Sequence, residues 1–426
     1  MADYSRFLRN LHNCNVLGVN PPVQDFAFFD LWAKPLGLLY ILETLRQQGN
    51  SITLLDCISE SAGKRKTYGR TAPLKTPISK PKPYENVPRR FYHFGTGKEA
   101  FLSRLRDLSL PDIILVTSMM TYWYPGVFWA ISLIKEVFPK VPVMLGGIYA
   151  RLCPEHARKS GADMIQTSRL DLNMIRPAVE LYPAPGYAVS MTSFGCPMNC
   201  GYCASSFLWP DYTARTVEEV TAEIRHQVKA AAGTIQDTAF YDDALLMDRE
   251  SRFYPLCENF QRDFPTMRFH TPNGLHVRMI DSLCGQILKS TGFKTLRLSF
   301  EGTDRTLRKT QGEKTDLDSF ASAVNHLRKA GYLNDEIETY VLLGLPGQRP
   351  EDMEGNIQIV KDIGVKVKTA QYSPIPQTRT FQEAALITPE IMKEPLLQNN
   401  TVYSSYVSKT LGPETLQHLK DLARST

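Results

Sequence analysis

The chain has no apolar run near the roughly 20 residues that a membrane-crossing helix needs. Its first residues, Met1-Ala2-Asp3-Tyr4-Ser5-Arg6, lack the apolar stretch of a secretory leader, so a cytoplasmic protein is expected. Cysteine is sparse: there are eight in 426 residues, three of them in one loop, which is no disulfide framework and fits a reducing compartment. None of the eight histidines stands at metal-ligand spacing with another. His270 and His276, near the end of one expected strand, read as structural. Charge of one sign is not in large excess either. With 49 Lys and Arg against 44 Asp and Glu, the net charge of +5 is too mild to call for nucleic acid. At 43% hydrophobic and 22% charged, the chain has material for two or three packed domains.

Local charge is less even. Lys64, Arg65, Lys66, Arg70, Lys75, Lys80, Lys82, Arg89 and Arg90 fall in one stretch with Pro73, Pro77, Pro81, Pro83 and Pro88. Proline removes a donor and fixes its torsion, so residues 60–95 are expected to form an insertion or flap without a helix or a central strand.

Around that insertion the first 176 residues read as alternating strands and helices. Asn15 to Pro22, Ser51 to Asp56, Asp112 to Ser118, Val141 to Gly147 and Gly161 to Thr167 are expected strands; Pro35 to Gly49 and Gly126 to Phe138 have helical spacing. This is a parallel α/β sheet, whose ligands bind beyond the carboxyl ends of the strands. The candidate rim is Asn20-Pro21-Pro22, Ser118 to Tyr124 and Gly146-Gly147-Ile148-Tyr149. A linker with Pro177, Pro183, Pro185 and Gly186 follows. The pattern then repeats at longer intervals over 185–385, with expected strands at 187–192, 238–243, 268–274, 294–300, 337–344 and 366–373. Six such units make a partial (β/α)6 barrel, and residues 386–426 form an extension with a terminal helix near Leu411 to Ala423.

Between the first and second of those strands lies Ser193-Phe194-Gly195-Cys196-Pro197-Met198-Asn199-Cys200-Gly201-Tyr202-Cys203-Ala204, a C-x3-C-x2-C array kept as a loop by glycine and proline. Soft thiolates select zinc, copper(I) or an iron-sulfur cluster, and a structural zinc would want a fourth ligand from a second knuckle. No second close cysteine pair and no H-x3-H follows it. Three ligands are the set a [4Fe-4S] cube needs if its fourth iron is to stay open to a small molecule.

This spacing, with Tyr202 directly before the last cysteine, resembles the radical S-adenosylmethionine (SAM) superfamily. The resemblance implies that Cys196, Cys200 and Cys203 hold the cluster, whose open iron chelates SAM and cleaves it reductively to a 5'-deoxyadenosyl radical. Phe194 and Tyr202 are assigned to SAM with the loop. Further motifs agree in order. Tyr241-Asp242-Asp243 resembles the family's F-x-D-D element near the methionyl end of SAM. Ser299-Phe300-Glu301-Gly302 resembles G-x-E-S-G, with Ser299 and Gly302 departing from it. Arg297 shares a strand face with Ser299 and Glu301, where it pairs with Glu301 or with the SAM carboxylate. Leu345 and Pro346 belong to a G-x-P-G turn against adenine. Gln371 to Thr378 is similar to S-P-x-P-G-T, with Gln377 in place of glycine. Arg215-Thr216-Val217-Glu218-Glu219 opens a helix as the family does, with Thr216 as its cap.

The first domain resembles the Rossmann-like cobalamin-binding domain of one large branch of that superfamily. The matching pieces are the N-P-P loop, the P-L-G-L-L-Y helix start, the strand ending at Ser118 and the Gly146-Gly147 turn. Implied cobalamin contacts are Asn20, Pro21, Pro22, Leu36, Ser118, Thr121, Tyr122, Trp123, Gly146, Gly147, Ile148 and Tyr149. There is no D-x-H-x-x-G, so that motif offers the cobalt no histidine. The function implied is a cobalamin-dependent radical SAM methyltransferase acting on an unactivated carbon. It would be fed by an electron donor such as flavodoxin or ferredoxin and act on a small molecule or peptide; no catalytic residue is assigned. Two alternatives stand beside it: a non-methylating rearrangement, cyclisation or oxidation, and a methylthiotransferase. The latter needs a second cluster, for which Cys14, Cys57 and Cys153 are the scattered thiols at hand.

Overall fold

The computed structural model describes residues 2–29, 32–59, 62–302 and 315–425, with 62–65 as backbone; Met1, residues 30–31, 60–61 and 303–314, and Thr426 lie outside the described residues. The chain forms two compact units. The first runs to Gly186 and takes in Ala230–Ala232 and Glu390–Tyr403; the second comprises Tyr187–Lys229, Gly233–Pro389 and Ser404 onward. The stretch expected as one C-terminal extension is thus divided between them.

In the first unit five parallel strands, β1 (Asn15–Asn20), β2 (Ser51–Asp56), β3 (Ile113–Val116), β4 (Val143–Leu145) and β5 (Met164–Ile165), lie in the order 5-4-3-1-2. The alternation of side chains explains why both faces are covered. Leu17, Val19, Ile114, Val116, Val143 and Leu145 point to one face, under the helices Lys98–Arg106 and Tyr124–Val137. Val16, Leu54, Ile113, Leu115 and Met144 point to the other, under Leu36–Gln47. This is an open doubly wound sheet whose strand order reverses between β1 and β3.

The basic insertion differs from the flap expected of it. Lys75–Ile78 pairs antiparallel with Phe91–Phe94, which pairs in turn with Val23–Asp25. Pro77 is accommodated because Lys75–Ile78 is the outer strand of this small sheet, where a missing N–H faces away from the ladder. Tyr84 and Phe91 are buried beside Phe26 and Leu396 and anchor the segment.

The strap Glu390–Tyr403 is tied to the first unit by polar contacts. Asn399 Nδ2 and Thr401 Oγ1 donate to Asp25 Oδ1 at 2.9 and 2.8 Å, and Trp123 Nε1 donates to Asp25 Oδ2 at 2.8 Å. Tyr122 and Tyr124 donate to Asn400 and Glu394, each at 3.0 Å. Asp25 is fully buried, and burial pushes its carboxyl up to about 6 although these donors oppose the shift. A carboxyl raised in the folded state stabilises fully below its unfolded pKa, and that contribution is lost as pH rises through the folded one. Between about pH 5 and about pH 7.5 wild type should therefore lose about 1.5 kcal/mol relative to Asp25→Asn. Denaturant unfolding of the two proteins across that range measures it; parallel pH profiles would contradict the assignment.

The second unit is built on six parallel strands in sequence order: β6 (Ala188–Ser190), β7 (Asp237–Phe240), β8 (Arg268–His270), β9 (Phe293–Phe300), β10 (Ile337–Leu343) and β11 (Lys366–Gln371). Among the described residues β6 and β11 do not pair, so the sheet curls as an open partial barrel. Phe240, Phe260, Phe269 and Phe293 stack outside it at 4.9 to 6.0 Å. A bulge where Phe269 and His270 face Phe293 and Thr295 turns Thr295 toward His270. His270 is buried between Thr295 and Asp237, the structural role expected of it.

Candidate functional site

The cysteine loop begins where β6 ends, and a buried carboxylate holds its root. Asp242, 2% exposed, accepts from Thr192 N, Thr192 Oγ1, Ser193 N and Ser193 Oγ at 2.6 to 3.0 Å. Burial pushes this carboxyl upward while the donors favour its charged form. Arg252 crosses beneath and donates to Thr192 Oγ1 and to the Leu245 and Met247 carbonyls. Arg215 donates to Met191 O at 2.8 Å and pairs with buried Glu223. Its neighbour Thr216 forms a capping box with Glu219, the N–H of each donating to the other's side chain. Ser193-Phe194 pairs with Thr213-Ala214, and the Phe194 ring stacks on Trp209 at 4.8 Å.

Beyond that root the three thiols stand part-exposed and free of disulfides. Two polar contacts tie the loop to the ends of other strands. Tyr202 donates its hydroxyl to Glu301 Oε1 at 2.6 Å, linking the loop to the end of β9. Ser205 Oγ lies 3.1 Å from Cys203 Sγ and donates to Asp243 Oδ2 at 2.8 Å, linking the last cysteine to the end of β7. Gly201 O accepts from both Thr380 N and Thr380 Oγ1, at 3.1 and 3.2 Å. Thr380 is set there by the helix Arg379–Ile387, which Thr378 caps. The Arg379 guanidinium rests on Gly201: a Cβ at that glycine would stand 2.4 Å from Arg379 Nη2.

The assigned SAM residues thus separate. Phe194, Tyr202, Asp243 and Glu301 gather around the thiol loop. Tyr241 follows β7 and Ser299 lies near the end of β9, with β8 between them; Tyr241 N donates to Ser190 O at 2.9 Å. Asp242 is committed to the loop's backbone. Arg297 departs from the expected pairing with Glu301. It bonds to Glu338 Oε2 at 3.3 Å and to Pro272 O at 3.2 Å, since register sets it opposite Glu338. Leu345 and Pro346 are buried in a turn that Gln348 holds, its Oε1 accepting from Gly344 N and Leu345 N. Ser205, Arg252 and Thr380 were not singled out from sequence. Of these, only Ser205 carried a cue, two residues past the last thiol.

Whether these residues suit an iron-sulfur cube turns on donor type and spread. Among the described residues no three of His, Cys, Asp and Glu converge tightly enough for a single metal ion. A cube instead spreads its thiolates over separate corners, and an all-thiolate triad on a loop free of helix or strand suits it.

In the first unit, a cleft opens at the carboxyl ends of β1 and β3, where the strand order reverses. Asn20, Pro21, Pro22, Thr117, Ser118 and Trp123 are among its lining. Two glycines make the rim possible. Gly147, at φ +95°, would drive a Cβ within 2.1 Å of Ser118 O, and Gly126 within 1.9 Å of Pro22 O. Of the residues assigned to cobalamin, Asn20, Pro21, Pro22, Ser118 and Trp123 meet at this cleft. Leu36, Thr121, Tyr122 and Tyr149 are buried; Tyr149 hydrogen-bonds His156 Nδ1 at 2.7 Å, and Ile148 is exposed. Gly146 accepts from Ser118 Oγ at 2.6 Å.

Residues 190–360 match the sequence model of the Radical SAM superfamily. That stretch, which lies in the second unit but for Ala230–Ala232, is a radical SAM domain. Among solved structures, the fold is shared with TsrM, a radical S-adenosylmethionine methyltransferase from Kitasatospora setae solved with cobalamin and a [4Fe-4S] cluster bound. The TM-score is 0.61 at 14% identity, over 88% of this chain and 76% of that one. It is shared also with OxsB, a cobalamin-dependent S-adenosylmethionine radical enzyme solved with aqua-cobalamin and S-adenosylmethionine, at TM-score 0.56 and 13% identity over 96% and 61%. Curated relatives include ribosomal protein uS12 methylthiotransferase RimO of Thermotoga sp. (strain RQ2), 23% identical over 296 residues and 66% of each chain. Another is the tRNA-2-methylthio-N(6)-dimethylallyladenosine synthase of Herminiimonas arsenicoxydans, 24% identical over 288 residues, 62% of this chain and 60% of that one. The chain therefore spans just under two thirds of the length of these curated relatives.

Replacing Asp242 by Ala strips the loop root of the acceptor for four donors and should cost about 3 kcal/mol. The iron and sulfide bound after anaerobic reconstitution should fall with it; full iron content in Asp242→Ala would show that the carboxylate is not the loop's anchor.

Proposed function

We propose that the chain is a cobalamin-dependent radical SAM methyltransferase that methylates an unactivated carbon. The observation that carries this is the cleft at the strand-order reversal of the first unit's parallel sheet, in a chain whose other unit is a radical SAM domain. Open α/β sheets bind their ligands at that position, and both TsrM and OxsB were solved with cobalamin. In this reading Cys196, Cys200 and Cys203 hold a [4Fe-4S] cluster, and the rim from Asn20 to Pro22 with Ser118 and Trp123 receives cobalamin. When bound, the cluster supplies the electron that cleaves SAM and cobalamin supplies the methyl group, chemistry no amino-acid side chain offers.

The chain's own contribution is placement. Asp242 and Arg252 fix the loop root. Tyr202 on Glu301 leaves that carboxylate oriented at the end of β9, where a charge-assisted bond to an ammonium or a ribose is available. Ser205 donates its N–H to Cys203 Sγ at 3.5 Å, a contact of the kind that tunes a cluster, while its hydroxyl, 3.1 Å from that sulfur, donates to Asp243. The reductant is a small electron-transfer protein such as flavodoxin or ferredoxin.

Methylthiotransfer is the second reading, favoured by the curated relatives. It requires a second cluster in the first unit. Cys57 and Cys153 pack with one face of that unit's sheet and Cys14 with the other, an arrangement that opposes a shared cluster.

Anaerobically reconstituted protein should hold about four iron atoms per chain, against about eight for two cubes. It should also bind cobalamin and form 5'-deoxyadenosine from SAM under dithionite. The Cys196→Ala, Cys200→Ala, Cys203→Ala triple variant should form none yet keep its cobalamin. Eight irons, or a product heavier by CH2S rather than CH2, would favour the second reading.

A further inference from the structure

The inner face of the partial barrel is not filled as barrel interiors are. A closed (β/α) barrel packs layers of branched apolar side chains at its centre. Here the apolar residues of β9 and β10, such as Leu296, Leu298, Ile337 and Val341, are buried on the helix-covered side. Alternation turns Arg297, Ser299, Glu338, Tyr340, Lys366 and Lys368 to the other side, and register aligns Arg297 with Glu338 and Glu338 with Lys366.

Three cations converge there on one acid. Arg297 Nε is 3.3 Å from Glu338 Oε2, and Lys368 Nζ and Lys366 Nζ are 3.3 and 3.6 Å from Glu338 Oε1. Burial alone would raise the Glu338 carboxyl, but Lys368 and Arg297 outweigh it and hold the group below the usual range, so it is ionised. Three positive charges against one negative leave a surplus of two. Among the described residues no other acid pairs with these three cations. Asp237, on β7, is engaged by Arg268 at 2.8 and 2.6 Å and by His270 at 2.9 Å. The arrangement is graded in depth: the Arg297 side chain is 11% exposed, those of Lys368 and Lys366 42% and 54%. A desolvated guanidinium backed by two wetter ammonium groups is a receptor for an oxyanion, since planar fork and point charges act together.

We propose that this cationic floor binds the acid group, carboxylate or phosphate, of the substrate. The substrate is then an elongated anion. Arg297 lies four residues before Glu301 on one chain, which at about 3.3 Å per residue separates their backbone positions by about 13 Å along the strand. The reacting carbon lies toward the Glu301 end and the acid group roughly that far from it. This rests on the reading of the strand ends as the SAM site.

The test titrates the reconstituted full chain with inorganic pyrophosphate and, separately, with glutarate, by calorimetry. At least one should bind, and the preferred probe tells phosphate from carboxylate. Lys366→Gln/Lys368→Gln should weaken that binding at least tenfold, whereas Glu338→Gln, which removes the competing acid, should tighten it. Arg89→Gln/Arg90→Gln, in the basic insertion, should leave it unchanged. Absence of binding overturns the proposal, as does binding that survives the double lysine change or disappears with the insertion variant. Deoxyadenosine formation by wild type, assayed alongside, separates this failure from failure of the radical SAM reading: cleavage without anion binding removes only the floor.

Discussion

Everything distinctive in this molecule follows from parallel pairing. In a parallel sheet all strands deliver their carboxyl ends to the same edge, so residues far apart in the chain meet there without any contact between their own elements. The thiol loop after β6, Asp243 after β7 and Glu301 after β9 come from positions spread over a hundred residues, yet Tyr202 reaches Glu301 and Ser205 reaches Asp243 with ordinary hydrogen bonds. The same constraint in the first unit gathers Asn20 and Ser118 at one cleft. Each unit uses a different opening: a gap between β6 and β11 in one, a reversal of strand order in the other.

A loop that must carry three thiolates has no ladder to hold it, and the structure compensates at its root. Asp242 saturates its carboxylate with backbone and hydroxyl donors of Thr192 and Ser193, and Arg252 lies in the same buried network. Buried charge of this kind is costly unless fully bonded. The bonds to Asp242 fix the loop's entry as far as Phe194, whose ring stacks on Trp209. Beyond that entry the loop is held from elsewhere in the unit, by Tyr202 on Glu301, Thr380 on Gly201 and Ser205 on Asp243.

The strand pattern was legible because both sheets are buried on their covered faces, which writes runs such as Ile113-Ile114-Leu115-Val116 and Val143-Met144-Leu145 into the sequence. The thiol triad was legible for a different reason, its spacing being local. What escaped depended on register. Arg297 shares a strand face with Glu301, so pairing along the strand looked natural; the neighbouring strand brings Glu338 closer, and cross-strand distance beats four residues of strand rise. Adjacent acids Asp242 and Asp243 look equivalent in one dimension, but alternation sends one into the loop root and the other toward Ser205. The insertion misled because prolines mark what a segment cannot be in the middle of a sheet and say nothing of its edge, where Pro77 sits.

The two chemistries weighed for this fold differ in what they ask of the first unit. A second cube would demand thiols on one surface, and a five-stranded sheet is an efficient separator of side chains. Cys57 directly follows β2 and packs into the core with Val19 and Leu55, while Cys14 precedes β1 and packs beside Leu8 and Val16. Bringing them together would require unpicking the pairing of β1 with β2, the longest ladder in that sheet. A corrin asks for much less: a recess at the strand ends, beside which Gly126 and Gly147 let backbone stand against backbone. Of the two demands the second leaves every strand pairing of this sheet intact.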